Sequence, residues 1–484
     1  MATPTTRTLM FVGTASHAGK STLVTALCRM LHKDGVRVAP FKSQNMSLNS
    51  FVCRDGSEIG RAQVCQAEAA GIEPEADMNP ILLKPAGDRH MQVVLHGRVY
   101  GTMTANEYYE QKRFFFAQSL DSFHRLASKF DVILLEGAGS PVEMNLKDRD
   151  IVNLPFAKAI GSKALLVADI DRGGVFAAIA GTFALLEEDE RDLLRGFIIN
   201  RFRGDLRLFR GGPEFLERYT GRRCLGVLPY IERLLVDQED SVSLDDHRPN
   251  PGNFQIGVIR LPHISNYTDF NALERIPGVA VHYLLEPNQR VDLVIIPGTK
   301  NTIADLRWLI ARGFKQLLLD TMERGGWVLG ICGGYQMLGR SICDPFAVEE
   351  GGTAEGLDFL PIQTELETAK VTVQSSGRSF LGMAVRGYEI HMGKTEHVRP
   401  VDPFLIKDDA QADGALSGRV AGTYFHGLFD NAGFTAKFLS MVAENRELDW
   451  RPADCGYSKD REYSRLAAIV RQHLDVQRIY ELIQ

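Results

Sequence analysis

Short apolar runs alternate with longer amphipathic stretches through the first 230 residues. The runs fall at 8–12, 36–41, 132–136, 164–169, 196–200 and 225–228, and most lead into Gly, Asn, Asp or Pro. Runs this short, bounded by turn formers, predict buried strands, and the stretches between them predict helices. Strand and helix in alternation predict a mostly parallel sheet with helices on both faces. A second alternating series follows at 254–260, 291–296, 327–331 and 422–425. Between the two, residues 237–252 are polar, and their later half is rich in Pro, Asn and Gly, the composition of an interdomain linker. Beyond about Thr435, Leu466, Ile469, Val470, Leu474, Ile479 and Leu482 mark a helical tail. The expected class is α/β, with two doubly wound domains at 1–236 and 253–440 and a helical C-terminal tail at 441–484. No internal repeat or low-complexity segment interrupts this pattern.

A chain of 484 residues is long for one domain, and 44% hydrophobic content is ample for two packed cores. The net charge of −6 gives no sign of a nucleic-acid partner. Seven cysteines without a CxxC pair fit a reducing cytosol and argue against a disulfide framework or a zinc site, so a cytoplasmic protein is expected. The first residues run directly into a strand without a signal pattern, and no apolar run reaches about 18 residues, so no membrane span is expected.

Two segments carry chemistry. The first is Gly13-Thr14-Ala15-Ser16-His17-Ala18-Gly19-Lys20-Ser21, between a strand and a helix. Small residues in such a turn let backbone N–H groups converge on phosphate oxygens, Lys20 reaches the terminal phosphates, and the Ser21 hydroxyl suits Mg²⁺. Five residues separate Gly13 from Gly19 where the strict phosphate loop has four, and Thr14 takes the usual first-glycine position. Thr14, His17, Ala18, Gly19, Lys20 and Ser21 are the expected ATP-binding set, with Asn200 as a candidate for the adenine edge. Glu136 ends a strand on the same edge and is expected to hold Mg²⁺ with Ser21. Asp55 and Glu58 are further candidate metal ligands, and the sequence does not choose between them. Lys42 and Asp171 are candidates for the substrate carboxylate or the moving phosphoryl group.

The second is Trp327-Val328-Leu329-Gly330-Ile331-Cys332-Gly333-Gly334-Tyr335-Gln336. A cysteine on a sharp strand-to-helix turn is lifted clear of the sheet, and the helix behind it favours the thiolate. His426 follows in Gly422-Thr423-Tyr424-Phe425-His426-Gly427. Cys332 and His426 are the expected nucleophile and proton shuttle.

The first 230 residues resemble the dethiobiotin-synthetase-like ATPases through Gly13 to Ser21, Glu136-Gly137-Ala138-Gly139 and Gly226-Val227-Leu228-Pro229. The second half resembles class I glutamine amidotransferases of the cobyric-acid-synthase type. Phe41-Lys42-Ser43-Gln44-Asn45-Met46-Ser47, Asn79-Pro80-Ile81-Leu82-Leu83-Lys84-Pro85, Asp171-Arg172-Gly173-Gly174, Asn200-Arg201-Phe202-Arg203-Gly204-Asp205 and Gly387-Tyr388-Glu389-Ile390-His391-Met392-Gly393 extend that likeness over nearly the whole chain. The resemblance implies a carbon–nitrogen ligase of cobalamin biosynthesis, with Gly298, Thr299 and Gly333 in its oxyanion and glutamine pocket. Its substrates would be ATP, glutamine and a corrinoid, adenosylcobyrinic acid a,c-diamide, amidated at b, d, e and g with Mg²⁺ as cofactor. A homo-oligomer is left open. The nearest alternative is the a,c-diamide synthase acting one stage earlier, and a more distant one is an ATP-switch protein with a decayed amidotransferase module.

One departure stands out. Many class I amidotransferases carry Glu two residues after the catalytic His, where this chain has Leu428. A Cys332–His426 dyad is therefore expected. Glu389 and His391 are the candidates for a third role or for glutamine binding.

Overall fold

The computed structural model describes residues 6–85, 90–232, 234, 237, 244, 247–452 and 458–483. Its first half is built on a six-stranded sheet in the order Arg223–Pro229, Leu194–Phe202, Lys163–Asp169, Arg7–Gly13, Val132–Glu136, Val38–Phe41, all pairs parallel. Its central strands are apolar almost without interruption because helices cover both faces. The first strand lies between partners reached by connections to opposite sides, which makes its C-terminal end a topological switch point. The turn 13–21 leaves the sheet there and enters the helix Lys20–Lys33.

The second half has its own six-stranded sheet, ordered Gly278–Leu284, Gly252–Ile259, Leu293–Ile296, Trp327–Ile331, Val420–Thr423, Ala415–Ser417, parallel except at the last pair. The sequence pattern predicts neither Gly278–Leu284 nor Ala415–Ser417 as strands, and it does not predict two further, mostly antiparallel sheets. One contains Gln44–Met46, Ile81–Pro85, His90–Leu95 and Arg98–Thr104. The other is dominated by the long pair Ile362–Ser379 and Ala384–His397. These strands mix polar and apolar positions because one face of each is partly exposed, so they lack the dense apolar signature of the parallel strands.

Two features join the halves. The tail helix Lys459–His473 returns to the first half and packs on Lys20–Lys33, burying Tyr463, Leu466 and Val470 in that core. The second feature is Asp237. Much of the expected linker lies outside the described residues, but Asp237 itself is buried rather than solvated. It accepts from Arg61 Nε at 2.8 Å and from Asn271 Nδ2 at 2.8 Å, with Arg275 3.9 Å away. Burial alone would raise the Asp237 pKa, but Arg61, Lys459 and Arg275 outweigh it and hold it well below the usual carboxylate range.

Asp237→Asn keeps the shape but leaves the Arg61 guanidinium buried without its counter-charge. It should destabilise the protein by about 3–5 kcal/mol at neutral pH. Urea unfolding measures the loss. Because the folded-state value is depressed, the charge-dependent stabilisation is complete above about pH 4 and declines as the pH falls further, so the gap between the two proteins should narrow in acid.

Candidate active sites

The turn 13–21 is held in an uncommon backbone conformation. His17 and Gly19 both have positive φ, 59° and 101°. A Cβ on Gly19 would stand 2.0 Å from Asn200 Nδ2, so only glycine fits there. Lys20 Nζ donates to Ala15 O at 3.2 Å and Gly139 O at 3.3 Å, which folds the ammonium over the loop. Buried Glu136 is the hub below. Its Oε1 accepts from Ser21 Oγ at 2.9 Å and Lys42 Nζ at 3.0 Å, and its Oε2 accepts from Gln66 Nε2 at 2.6 Å. Thus the structure brings Lys20, Ser21, Lys42 and Glu136 together, with Gln66 as a further partner. His17, Gly19, Lys20, Ser21 and Lys42 line a cavity of about 370 Å³, which continues along Asn45 to Asn49 and includes Arg201.

Four expectations change here. Asn200 is not on the cavity wall; its Nδ2 donates to Ala18 O at 2.9 Å, bracing the loop from beneath instead of waiting for an adenine edge. Thr14 N donates to Val167 O at 2.9 Å, and Ala18 O is the acceptor of the Asn200 bond, so both residues take part in bracing the loop. Asp171 is turned to Arg203 at 2.6 Å and also lies off the wall, whereas Arg201 lies on it. Glu58 is not at the phosphate loop at all. It is buried between Lys84 at 2.7 Å and Lys370 at 2.5 Å, both oxygens engaged. Burial pushes the Glu58 pKa up, but the two ammonium groups prevail and depress it. Asp55 is occupied by its own turn, accepting from Ser57 N and Oγ. Neither carboxylate is placed to bind metal with Ser21.

In the second half, Cys332 caps the strand Trp327–Ile331 with φ 53° and ψ −110°, a strained conformation for a residue with a Cβ. Its N–H is fixed to Thr423 O at 2.8 Å. The following helix, Gly333–Met337, has only five residues. A Cβ on Gly334 would sit 2.0 Å from Ile296 O, which explains the glycine pair. Cys332 Sγ points to Ile390 O at 3.5 Å. Gly298 lies against His426, where a Cβ would be 3.3 Å from the imidazole Cε1. Thr299 and Gly333 line a second cavity of about 50 Å³ with Cys332, His391 and His426.

His426 has a carboxylate partner after all. Its Nδ1 lies 2.6 Å from Asp269 Oδ2, and Asp269 Oδ1 accepts from Gly427 N at 3.0 Å. Nε2 makes no well-formed hydrogen bond among the described residues. Burial by itself would lower the imidazole pKa, but the Asp269 charge and hydrogen bond, with Cys332 beside it, lift it to about 10. The expectation of a dyad assisted by Glu389 is therefore corrected. Glu389 is buried away from His426, accepting from Ser375 Oγ at 2.6 Å and Lys407 Nζ at 3.2 Å, with His391 Nε2 at 3.8 Å. His391 lines the cavity with its ring stacked on Tyr424.

Asp269 was missed because it is distant in sequence from both Cys332 and His426. The one local signal was Ser265-Asn266-Tyr267-Thr268-Asp269, a polar run soon after the first strand of the second sheet. Lys300 and Glu349 were also missed. Both line the small cavity, and burial lowers the Lys300 pKa while raising that of Glu349 to about 7.

Residues 9–242 match the CobQ/CobB/MinD/ParA nucleotide binding domain, and residues 255–434 match the CobB/CobQ-like glutamine amidotransferase domain. The chain is 45% identical to the cobyric acid synthase of Caldanaerobacter subterraneus subsp. tengcongensis, with 98% of each chain covered. It is 48% identical to that of Salmonella enteritidis PT4, with 99% of each covered. The chain belongs to the cobyric acid synthase family. Across the family's two matched regions, the phosphate loop falls in the first and Cys332, Asp269 and His426 fall in the second.

Asp269→Asn should lower glutamine-dependent turnover by about 10²–10⁴, because an amide neither balances an imidazolium nor enforces the same tautomer. Glu389→Gln should lower it far less. Steady-state glutaminase assays on the two variants make the comparison.

Proposed function

We propose that this chain converts adenosylcobyrinic acid a,c-diamide to adenosylcobyric acid by amidating its b, d, e and g carboxylates, with ATP for activation and glutamine as nitrogen source. One observation carries this reading: a phosphate-loop cavity and a Cys–His–Asp cavity share a single loop as their wall. Ile264 and Tyr267 line the first, and Ser265 and Asn266 line the second.

In the smaller cavity, the Cys332 thiolate attacks the glutamine side-chain carbonyl. Protonated His426 gives its proton to the departing nitrogen, leaving a glutamyl thioester and free ammonia. Asp269 holds the imidazole in place and balances its charge. Water, deprotonated by His426, then releases glutamate. The cavity carries Lys300 and Glu349, one group for the α-carboxylate and one for the α-ammonium of an amino acid. Backbone N–H groups around Thr299 and Gly333 are the donors for the oxyanion.

In the larger cavity, a corrin carboxylate oxygen attacks the γ-phosphorus of ATP, forming an acyl phosphate and ADP. Ammonia attacks the acyl carbon and phosphate departs, leaving the amide. Lys20 and Lys42 offset the charge that develops on the transferring phosphoryl oxygens. Ser21 Oγ and Glu136 Oε1, 2.9 Å apart, are hard oxygen donors that fit a magnesium ion carried with the nucleotide. Such an ion would supply electrophilic stabilisation of the phosphates. Asn45, Ser47 and Asn49 offer polar groups to the substrate's existing amides, and exposed Met46 offers an apolar surface to the macrocycle.

Mass spectrometry of the corrinoid after incubation with ATP, Mg²⁺ and glutamine should show four acid-to-amide conversions. Conversion confined to the a and c positions of cobyrinic acid would replace this reading with the earlier synthase. Cys332→Ser should abolish glutamine-driven synthesis and leave ammonia-driven synthesis largely intact. Lys20→Ala should lose both by about 10²–10³ while glutamine is still hydrolysed. High-pressure liquid chromatography of glutamate and corrinoid products separates these outcomes.

A further inference from the structure

Asp269 sits on a short turn whose position is not set by its own domain alone. The turn begins at Asn266, a buried non-glycine residue at φ 50°. Asn266 Oδ1 accepts from Ser50 N at 3.0 Å, and Thr268 Oγ1 donates to Asn49 Oδ1 at 3.1 Å. Asn49 and Ser50 belong to the ATP-binding half. A third contact closes the group: Tyr388 donates to Ser50 O at 3.2 Å, and its ring stacks on His426 at 5.3 Å between centroids. The residues flanking Asp269 on its N-terminal side are therefore bonded to one two-residue strap, and the aromatic ring against His426 is bonded to the same strap.

That strap also faces the other chemistry. Asn49 lines the larger cavity, and Ser50 Oγ accepts from Lys84, which lines the smaller one. We propose that Asn49 and Ser50 are positioning residues for glutamine hydrolysis: they hold the turn from Asn266 to Asp269 so that its carboxylate meets His426, and they make that alignment depend on the state of the cavity that Asn49 lines. This inference rests on the amidotransferase reading above. A carboxylate that must meet a ring nitrogen at 2.6 Å is sensitive to small displacements of its backbone, and two interdomain hydrogen bonds on one turn supply the restraint. A filled larger cavity and an empty one present Asn49 with different neighbours, so the strap carries that difference to Asp269.

Thr268→Val tests it. The substitution preserves shape, removes the hydroxyl that donates to Asn49, and touches neither cavity wall. Glutaminase kcat should fall about tenfold, the scale of one lost buried hydrogen bond, with KM for glutamine unchanged. Thr268→Ser should restore it. In the unsubstituted chain, ATP plus the corrinoid should change the rate of glutamine hydrolysis; that change should shrink in the valine variant, and ammonia-driven synthesis should not change. His426 is faced by Asp269, Cys332 and the Tyr388 ring, and Asp430 is close enough to Asp269 to repel it. With Asp269 less firmly placed, the imidazolium is held less tightly, so the alkaline limb of the glutaminase pH profile should move to lower pH. A merely structural role would not move that limb. Wild-type glutaminase in Thr268→Val, equal impairment of the valine and serine variants, or a parallel loss of ammonia-driven synthesis would each overturn the proposal. Absence of glutamine hydrolysis in the unsubstituted chain would overturn the amidotransferase reading along with it.

Discussion

The buried contact between Asp269 and His426 is the constraint around which the second cavity and its supports are arranged. Two ionisable groups are buried together, and each would be costly alone in such a site. The cost is offset because the second carboxylate oxygen takes the Gly427 N–H and the first takes the imidazole N–H. Once the pair is required, its supports follow. The Asn266 turn must hold Asp269, the elbow at Cys332 must bring sulfur to the other side of the ring, and Tyr388 must cover the imidazole face. The ATP-binding half is part of that support, through Asn49 and Ser50.

The same logic governs the first cavity. Glu136 is buried, yet it is surrounded by a lysine, a serine hydroxyl and a glutamine amide, so its oxygens are satisfied before any nucleotide arrives. Each half thus places one buried carboxylate at its centre and surrounds it with donors. The two centres differ in what the carboxylate serves. Asp269 holds the His426 imidazole, whereas Glu136 gathers Lys42 and Ser21 around the phosphate loop.

Between the centres lies a third buried carboxylate, Glu58, clamped by Lys84 and Lys370 from opposite halves. Burial lowers the Lys370 pKa to about 8 against the pull of Glu58. Together with Asp237 and its arginines, this cluster makes the interface between halves strongly polar. Interfaces of this kind are intolerant of removing one partner, since the remaining charge is stranded. The tail helix Lys459–His473 adds an apolar seal against the first domain, packed on the helix that follows the phosphate loop.

The sequence by itself determined the parallel strands at the centre of both main sheets, because strands covered on both faces must be continuously apolar and their ends must be punctuated by turn residues. It also determined the phosphate loop and the Cys332 elbow, since the chemistry of each is written in contiguous residues: Gly19-Lys20-Ser21 in one, Cys332-Gly333-Gly334 in the other. The antiparallel sheets were not legible, because half-exposed strands such as Ile362–Ser379 carry a mixed pattern. Nor was the partner of His426. Leu428 showed that the usual place was vacant, but a carboxylate's neighbours are set by folding, and Asp269 is 2.6 Å from an imidazole 157 residues away. The same holds for Glu58. Its sequence neighbourhood of amides and an arginine suited a metal ligand, and only the approach of Lys84 and Lys370, one from each half, made it an ion-pair partner. Contiguous motifs survive as text because their geometry is local. Charge partners do not, because tertiary packing decides which distant group removes a buried charge from isolation.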